Sequence, residues 1–276
     1  MSNQVVSVII VTARVKDYLT TCLDSLKKQT YPHLQIIVVD NTKEGLSYSQ
    51  ALNKGIGMSE GGVILCLNDD VILDRNFILE ALKGFLADPC VGMVSGKILR
   101  PDNKTIDTTG LFLTFWRTAK ERGYGSKNRG QFEKSGYVFG VNGAVAFYQK
   151  EMLDKINYFD ERFGFFYEDL DLAWRAQKAG WRGYYIPSAI AWHVRGGTTR
   201  GEGGIDKPFA RRFLNDKLHL SLIKNRYLTI KKNESFFDFI VHLPAMVLYE
   251  VLVWSHVLLF RPHLIKLFFF ENIRRN

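Results

Sequence analysis

An alternation in the first hundred residues constrains this chain most. Short apolar, β-branched runs at 5–11, 34–39, 62–67 and 91–95 are separated by stretches with helical spacing at 18–29, 47–58 and 76–86. Runs of this kind read as strands buried on both faces, the habit of parallel sheets covered by helices. Strand–helix–strand order requires right-handed crossovers, so these strands end on one edge of a mostly parallel sheet. Ligands of such sheets sit beyond the carboxyl ends of the strands. The residues expected there are polar: Thr12, Asp40-Asn41 and Asn68-Asp69-Asp70. Asp17 is placed to cap the first helix, and Pro32 breaks the chain before the second strand.

Past residue 100 the alternation gives way to turn signals at 100–103 and a polar, glycine-containing loop over 123–136. The pattern predicts a strand region over 138–148, a short helix over 151–156, and a helix over 170–179 closed by Gly180. Strands follow over 181–186 and 189–193. Residues 195–204 hold five glycines in ten positions and read as a mobile loop.

Charge divides the chain. Residues 1–206 carry 25 Lys+Arg against 23 Asp+Glu, and residues 207–276 carry 12 against 5. The expected organisation is therefore an α/β domain over 1–206 and a basic, apolar helical tail over 207–276. A basic helix is expected over 207–232, followed by a nearly continuous apolar stretch over 236–260. Basic flanks beside apolar helices favour an anionic lipid surface over nucleic acid. Asp238, Pro244 and Glu250 argue against a spanning helix, so the tail is read as helices lying in the membrane interface. A dimerisation surface or a single poor transmembrane helix are the alternatives. Three cysteines with no Cys-x-x-Cys spacing imply neither a disulfide framework nor structural zinc, and fit a reducing compartment. Residues 1–6 run straight into a strand pattern, so no secretory signal is expected.

Four constellations carry candidate chemistry. Asn68-Asp69-Asp70 at a strand end offers hard oxygen ligands for a divalent cation, or a turn and helix cap. Asp40-Asn41 has the groups to read a base edge, or to form an Asx-turn. Glu168-Asp169-Leu170-Asp171 follows an aromatic run. Acids there suit a helix start, and crowding beside Phe165, Phe166 and Tyr167 favours one raised carboxyl, as a general base requires. His193 becomes a metal-ligand candidate if the fold brings it to Asp70.

In this order the segments are specific. Val-Ser-Val-Ile-Ile-Val-Thr at 6–12, Ile-Ile-Val-Val-Asp-Asn at 36–41, Ala-Leu-Asn-Lys-Gly-Ile at 51–56 and Leu-Asn-Asp-Asp-Val at 67–71 lead. Phe-Tyr-Glu-Asp-Leu-Asp-Leu-Ala-Trp-Arg at 166–175 and Trp-His-Val-Arg-Gly-Gly at 192–197 follow. Over residues 5–200 the chain resembles the family 2 glycosyltransferases with the GT-A fold, most of all their rhamnosyltransferase-type members. The resemblance implies an inverting transfer from a nucleotide-diphosphate sugar, dTDP-rhamnose by preference, to a lipid-linked glycan at the cytoplasmic face of a membrane. It implies Mg²⁺ or Mn²⁺ at Asp70 and His193. Thr12, Arg14, Asp40, Asn53 and Asp69 would bind the nucleotide sugar. Asp169 would be the base, with Glu168 positioning it or sharing the task. Asn68 stands at the first Asp-x-Asp position, so the cation would lean on Asp69, Asp70 and His193. Arg195 and Arg200 would add charge to the diphosphate as the 195–204 loop closes over it.

Other classes remain in view. A dinucleotide-dependent dehydrogenase needs a glycine fingerprint after the first strand, and residues 12–17 contain no glycine. A nucleotidyltransferase would want a glycine-rich basic loop there. A non-catalytic, membrane-bound nucleotide-binding scaffold is the remaining alternative.

Overall fold

The computed structural model describes residues 4–13, 17–42, 44–195 and 214–273. The leading half follows the predicted alternation: β1 (Val6–Thr12), α1 (Asp17–Lys27), β2 (Leu34–Asp40), α2 (Tyr48–Gly57) and β3 (Val63–Asn68). Then come a short β4 (Val71–Leu73), α3 (Phe77–Leu82) extended by a 3-10 turn (Lys83–Leu86), and β5 (Val91–Leu99). β1 pairs in parallel with both β2 and β3, and the register sets Thr12 against Asp40 and Val11 against Asn68. The three polar strand ends therefore share one edge.

Alternate residues of β1 go to opposite faces, as a strand's two-residue period dictates. Val6, Val8 and Ile10 pack in one buried cluster with Cys22 and Leu26 of α1 and Phe77 and Ile78 of α3. Ile9 and Val11 pack in another with Ala51, Leu52 and Ile56 of α2. Gly55 permits that second contact, because a Cβ there would meet Ile9 Cγ2 at 2.3 Å. The cap of α2 is local: Ser47 Oγ accepts from Gln50 N at 3.2 Å, and the Gln50 side chain accepts from Ser47 N at 2.9 Å.

The rest of the chain changes the sheet's character. β6 (Ile106–Thr108), the hairpin β7 (Leu111–Leu113) and β8 (Ala119–Glu121), and β9 (Gly136–Val138) precede β10 (Val145–Gln149). α4 (Lys150–Ile156), α5 (Glu168–Lys178) and β11 (Arg182–His193) follow. The main sheet runs β2-β1-β3-β10-β5-β11-β4, with β6 on β5 and β9 on β11. β10 enters antiparallel to both β3 and β5. The expected mostly parallel central sheet is present along this path: β2, β1, β3, β5 and β11 run in one direction, and β10 and β4 run against them.

The strand region predicted over 138–148 is two strands separated by residues 139–144, where Gly140 bridges to Leu111. The two strands predicted over 181–193 are one, whose register on β5 slips between Ile186 and Ile190, around Pro187. Gly180 closes α5 with φ +89°, as expected.

The tail forms α6 (Asp216–Asn233), α7 (Phe236–Phe260) and α8 (His263–Ile273). α6 docks on α5. Asp171 of α5, almost fully buried, accepts from Arg175 Nε and Asn233 Nδ2 at 2.8 Å each and from Lys232 Nζ at 2.9 Å. α7 runs back along α6: Arg261 pairs with Asp216, Glu250 with Arg226 and Tyr227, and Val253 and Val257 pack on Leu220 and Ile223. Pro244 lies inside α7 without ending it.

Candidate active site

A cavity of about 340 Å³ opens at the carboxyl edge of the parallel strands. Asn68, Glu168, Asp169, His193 and Arg195 line it, with Glu121, Asn142 and Gly143 between them. Segments separated by more than a hundred residues thus meet in one cleft.

The acidic end is built by strained backbone. Phe166 and Tyr167 take left-handed φ values of 72° and 71° just before α5. Consecutive non-glycine residues in that region are costly and persist only where neighbours impose them. Asn225 of α6 does so, donating from Nδ2 to the carbonyls of Phe165 at 2.9 Å and Phe166 at 2.8 Å. The turn delivers Glu168 and Asp169 to the cavity side by side.

Their environments divide them. Asp169 Oδ2 accepts from Gly143 N at 3.1 Å and Oδ1 from Leu170 N at 2.7 Å. Burial still raises its carboxyl above the ordinary aspartate range, against those two bonds. Burial, reinforced by the charge of Asp169, pushes Glu168 up to about 8. Glu168 Oε2 is buried without a hydrogen-bond partner. The surroundings therefore favour the proton on Glu168, whose Oε2 has no partner, over Asp169, whose two oxygens each accept a backbone amide.

The other end is ionic. Asp70, 5% exposed, brings Oδ1 to 3.2 Å from His193 Nε2, and His193 Nδ1 lies 2.9 Å from Asp107 Oδ2. Burial would lower the imidazole, but hydrogen bonds to Asp107 and Asp70, and then their charges, outweigh it and lift His193 to about 9. Arg195 Nε donates to Asp107 Oδ1 at 2.5 Å and Arg195 Nη2 to Glu121 Oε2 at 3.1 Å. Asn142 Nδ2 donates to Glu121 Oε1 at 3.0 Å. Burial pushes Glu121 up to about 7 despite the opposing charge of Arg195.

The other predicted residues divide. Asn68 accepts from Tyr48 Oη at 2.7 Å, and Asp69 is half-buried in the turn after β3. Thr12 is buried at the end of β1 with Oγ1 unpartnered, and Asp40 closes an Asx-turn by accepting from Thr42 N at 3.0 Å. Asn53 does not line the cleft: its amide clamps the loop before α5, bonding Phe159 O at 2.9 Å, Phe159 N at 3.1 Å and Glu161 Oε1 at 3.1 Å. Arg195 is placed at the cleft, as expected. Its charge is already met by Asp107 and Glu121, and it stacks over Tyr124 at 5.0 Å. Arg14, Arg200 and the rest of the glycine-rich segment beyond Arg195 lie outside the described residues.

Sequence reasoning missed Asp107, Glu121 and Asn142. Each sits where the alternation fails, so no periodic signal marked it. A second group of ligand-type side chains, Glu234, Asp238 and His242, lies within 4.8 Å at the corner between α6 and α7. The Arg117 guanidinium already sits on Glu234 and His242 there.

Residues 38–203 match the family described as "Glycosyltransferase like family 2", and residues 7–46 match "Glycosyl transferase family 2". A poly-beta-1,6-N-acetyl-D-glucosamine synthase of Staphylococcus aureus is 26% identical over 151 residues, 54% of this chain and 34% of that protein. The O-antigen biosynthesis protein RfbC of Myxococcus xanthus is 26% identical over 210 residues, 64% of this chain and 16% of its own length. The chain thus spans about a third or less of these curated relatives.

Among solved structures, the mannosyltransferase PcManGT from Pyrobaculum calidifontis, in complex with GDP-Man and Mn²⁺, superposes with a TM-score of 0.57 at 18% identity, covering 96% of this chain and 72% of that one. GalNAc-T7 with UDP, GalNAc and Mn²⁺ gives 0.56 at 13% identity, over 74% and 45%. The fold is GT-A. With the family match covering more than half of its length, the chain belongs to the family 2 glycosyltransferases.

Proposed function

We propose that this glycosyltransferase moves a sugar, with inversion, from a nucleotide-diphosphate donor to the hydroxyl of a lipid-linked glycan during cell-surface polysaccharide synthesis. The convergence of Asp169 and His193 in one cleft carries this reading. A single displacement needs a base on the face of the sugar opposite the leaving diphosphate, and the cleft offers a charged carboxylate at one end and a cation-binding group at the other.

Asp169 takes the proton from the acceptor hydroxyl. Its charge is held by the Gly143 and Leu170 amides, while protonated Glu168 keeps a second negative charge out of the site. The donor set at the other end fits a hard divalent cation: Asp70 and His193 would hold Mg²⁺ or Mn²⁺ with Asp69 beside them, leaving room for diphosphate oxygens. Asp107 behind His193 Nδ1 orients the ring so that Nε2 faces Asp70. When bound, the cation neutralises charge on the departing diphosphate. Thr12 and Asp40 bind the nucleoside, supported by the unpartnered Thr12 Oγ1 and by their shared position on the sheet edge.

The dTDP-rhamnose donor is supported by the resemblance of the 166–175 segment. The relatives named for N-acetylglucosamine polymer and O-antigen synthesis support a polysaccharide product.

The tail supports a position on the cytoplasmic face, in the membrane interface. α7 is long and apolar enough to cross a bilayer, and only 11% of its most apolar window is buried. Yet α6 lies along it and carries Lys217, Lys224, Lys231 and Lys232. A spanning α7 would draw these charges to hydrocarbon depth. An in-plane α7 keeps them at the headgroups.

The test is transfer. Purified chain with Mn²⁺ is assayed against nucleotide sugars, dTDP-rhamnose first, and a lipid-linked acceptor. Product should form and should fall by about 10²–10⁴-fold in Asp169→Asn. Undiminished product in that variant removes Asp169 as the base.

A further inference from the structure

The cleft has a middle to which the reaction above assigns no residue. Glu121, the last residue of β8, lines it with 22% of its side chain exposed. Its two oxygens are fixed from behind, one by Asn142 Nδ2 and the other by Arg195 Nη2. Each carboxylate oxygen accepts more than one hydrogen bond, so both retain acceptor capacity.

The bonding order locates Glu121. From the cation end it runs Asp70, His193, Asp107, Arg195, Glu121, Asn142, and Gly143 next to Asn142 donates to Asp169. Glu121 thus stands between the two ends. A donor sugar must lie there, because its anomeric carbon is bonded to the diphosphate on one side and approached from the base on the other. Arg195, the fixed cation facing this space, is already held by Asp107 and Glu121. The middle of the cleft is therefore rich in fixed acceptors and has no uncommitted positive charge among the described residues.

Resting on the reading of the cleft as a nucleotide-sugar site, we propose that Glu121 binds hydroxyls of the transferred sugar and restricts the donor to neutral sugars, excluding uronates. Hydroxyls can donate to the oriented Glu121 oxygens, whereas a sugar carboxylate has no proton to donate to them and would crowd the Asp169 carboxyl as well.

The experiment is titration calorimetry on the full chain with Mn²⁺. UDP, dTDP and GDP are each compared with their hexose form (UDP-glucose, dTDP-rhamnose, GDP-mannose), and the best-bound nucleotide also with its hexuronate form. Wild type should take the hexose form over the uronate by at least tenfold. Glu121→Ala should leave the nucleoside diphosphate within about twofold and weaken the hexose form by about tenfold or more, the scale of one charged hydrogen bond.

Glu121→Gln preserves side-chain volume and serves if the alanine variant unfolds; it should narrow the preference for hexose over uronate. Equal losses for diphosphate and sugar form, no loss for either, or a wild type that accepts the uronate equally overturns this inference and leaves the cleft assignment standing. A wild type that binds none of the three diphosphates overturns both.

Discussion

Glu168 gives the residue scale its sharpest consequence. Its carboxyl ordinarily ionises at 4.5 and in the fold at about 8. Between those values the unfolded chain has released a proton that the folded chain keeps, so this group makes stability fall as pH rises through that window. Glu168→Gln lacks that slope and should gain on wild type between pH 5 and pH 8, by a few kcal/mol at most. Thermal melts at the two pH values read the difference; parallel curves would mean that Glu168 is ionised in the folded protein. Asp107 tests the opposite end. It is fully buried between His193 and Arg195. Asp107→Asn leaves Arg195 with Glu121 alone and His193 with Asp70 alone, and should cost about 3–5 kcal/mol in urea unfolding. A loss under about 1 kcal/mol would show that water replaces the carboxylate there.

At the scale of elements, α5 and α6 act as one unit. α5 presents Glu168 and Asp169, and α6 imposes the left-handed turn before them through Asn225. Asp171 joins the two helices by bonds to Lys232 and Asn233. Asp171→Ala should destabilise the chain by about 2–4 kcal/mol and speed amide exchange across 216–233 more than across β1–β3. Uniform exchange would show that α6 opens only with the whole molecule. The hairpin β7–β8 has a comparable part: it carries Glu121 into the cleft, while Arg117 at its turn grips Glu234 after α6. The acids at the start of α5 and Glu121 are thus both braced by the tail.

Across the whole molecule, the sequence over 207–276 combines a basic excess with the largely exposed apolar helix α7. Wild-type chain should sediment with phosphatidylglycerol vesicles, and less so as NaCl is raised past the point where the Debye length falls below about 8 Å. Leu248 and Leu252 are 52% and 61% exposed. The double variant Leu248→Asp/Leu252→Asp should therefore keep its melting temperature and lose vesicle binding. Retained binding would move the contact away from α7. Cutting the chain near residue 206 is a poorer probe, because Leu222 and Tyr249 line the cleft and would go with the tail.

Periodicity alone determined the parallel core. Apolar runs such as 5–11 and 62–67 cannot be solvated, and their polar ends at Thr12, Asp40 and Asn68 follow from the crossover rule, so that edge was legible in the residues themselves. The Glu168-Asp169 and His193 segments were legible as local patterns. Tertiary structure decided the rest. The antiparallel entry of β10, the use of Asn53 as a clamp and of Arg195 as a buried counter-ion, and the roles of Asp107 and Glu121 depend on partners distant in the chain. Asp107 meets His193 across 86 residues, and Glu121 meets Arg195 across 74. A lone Asp or Glu in an aperiodic stretch looks the same whether it faces water or a guanidinium. Only the packing that removes the water, and makes an unpaired charge too costly to keep, distinguishes the two.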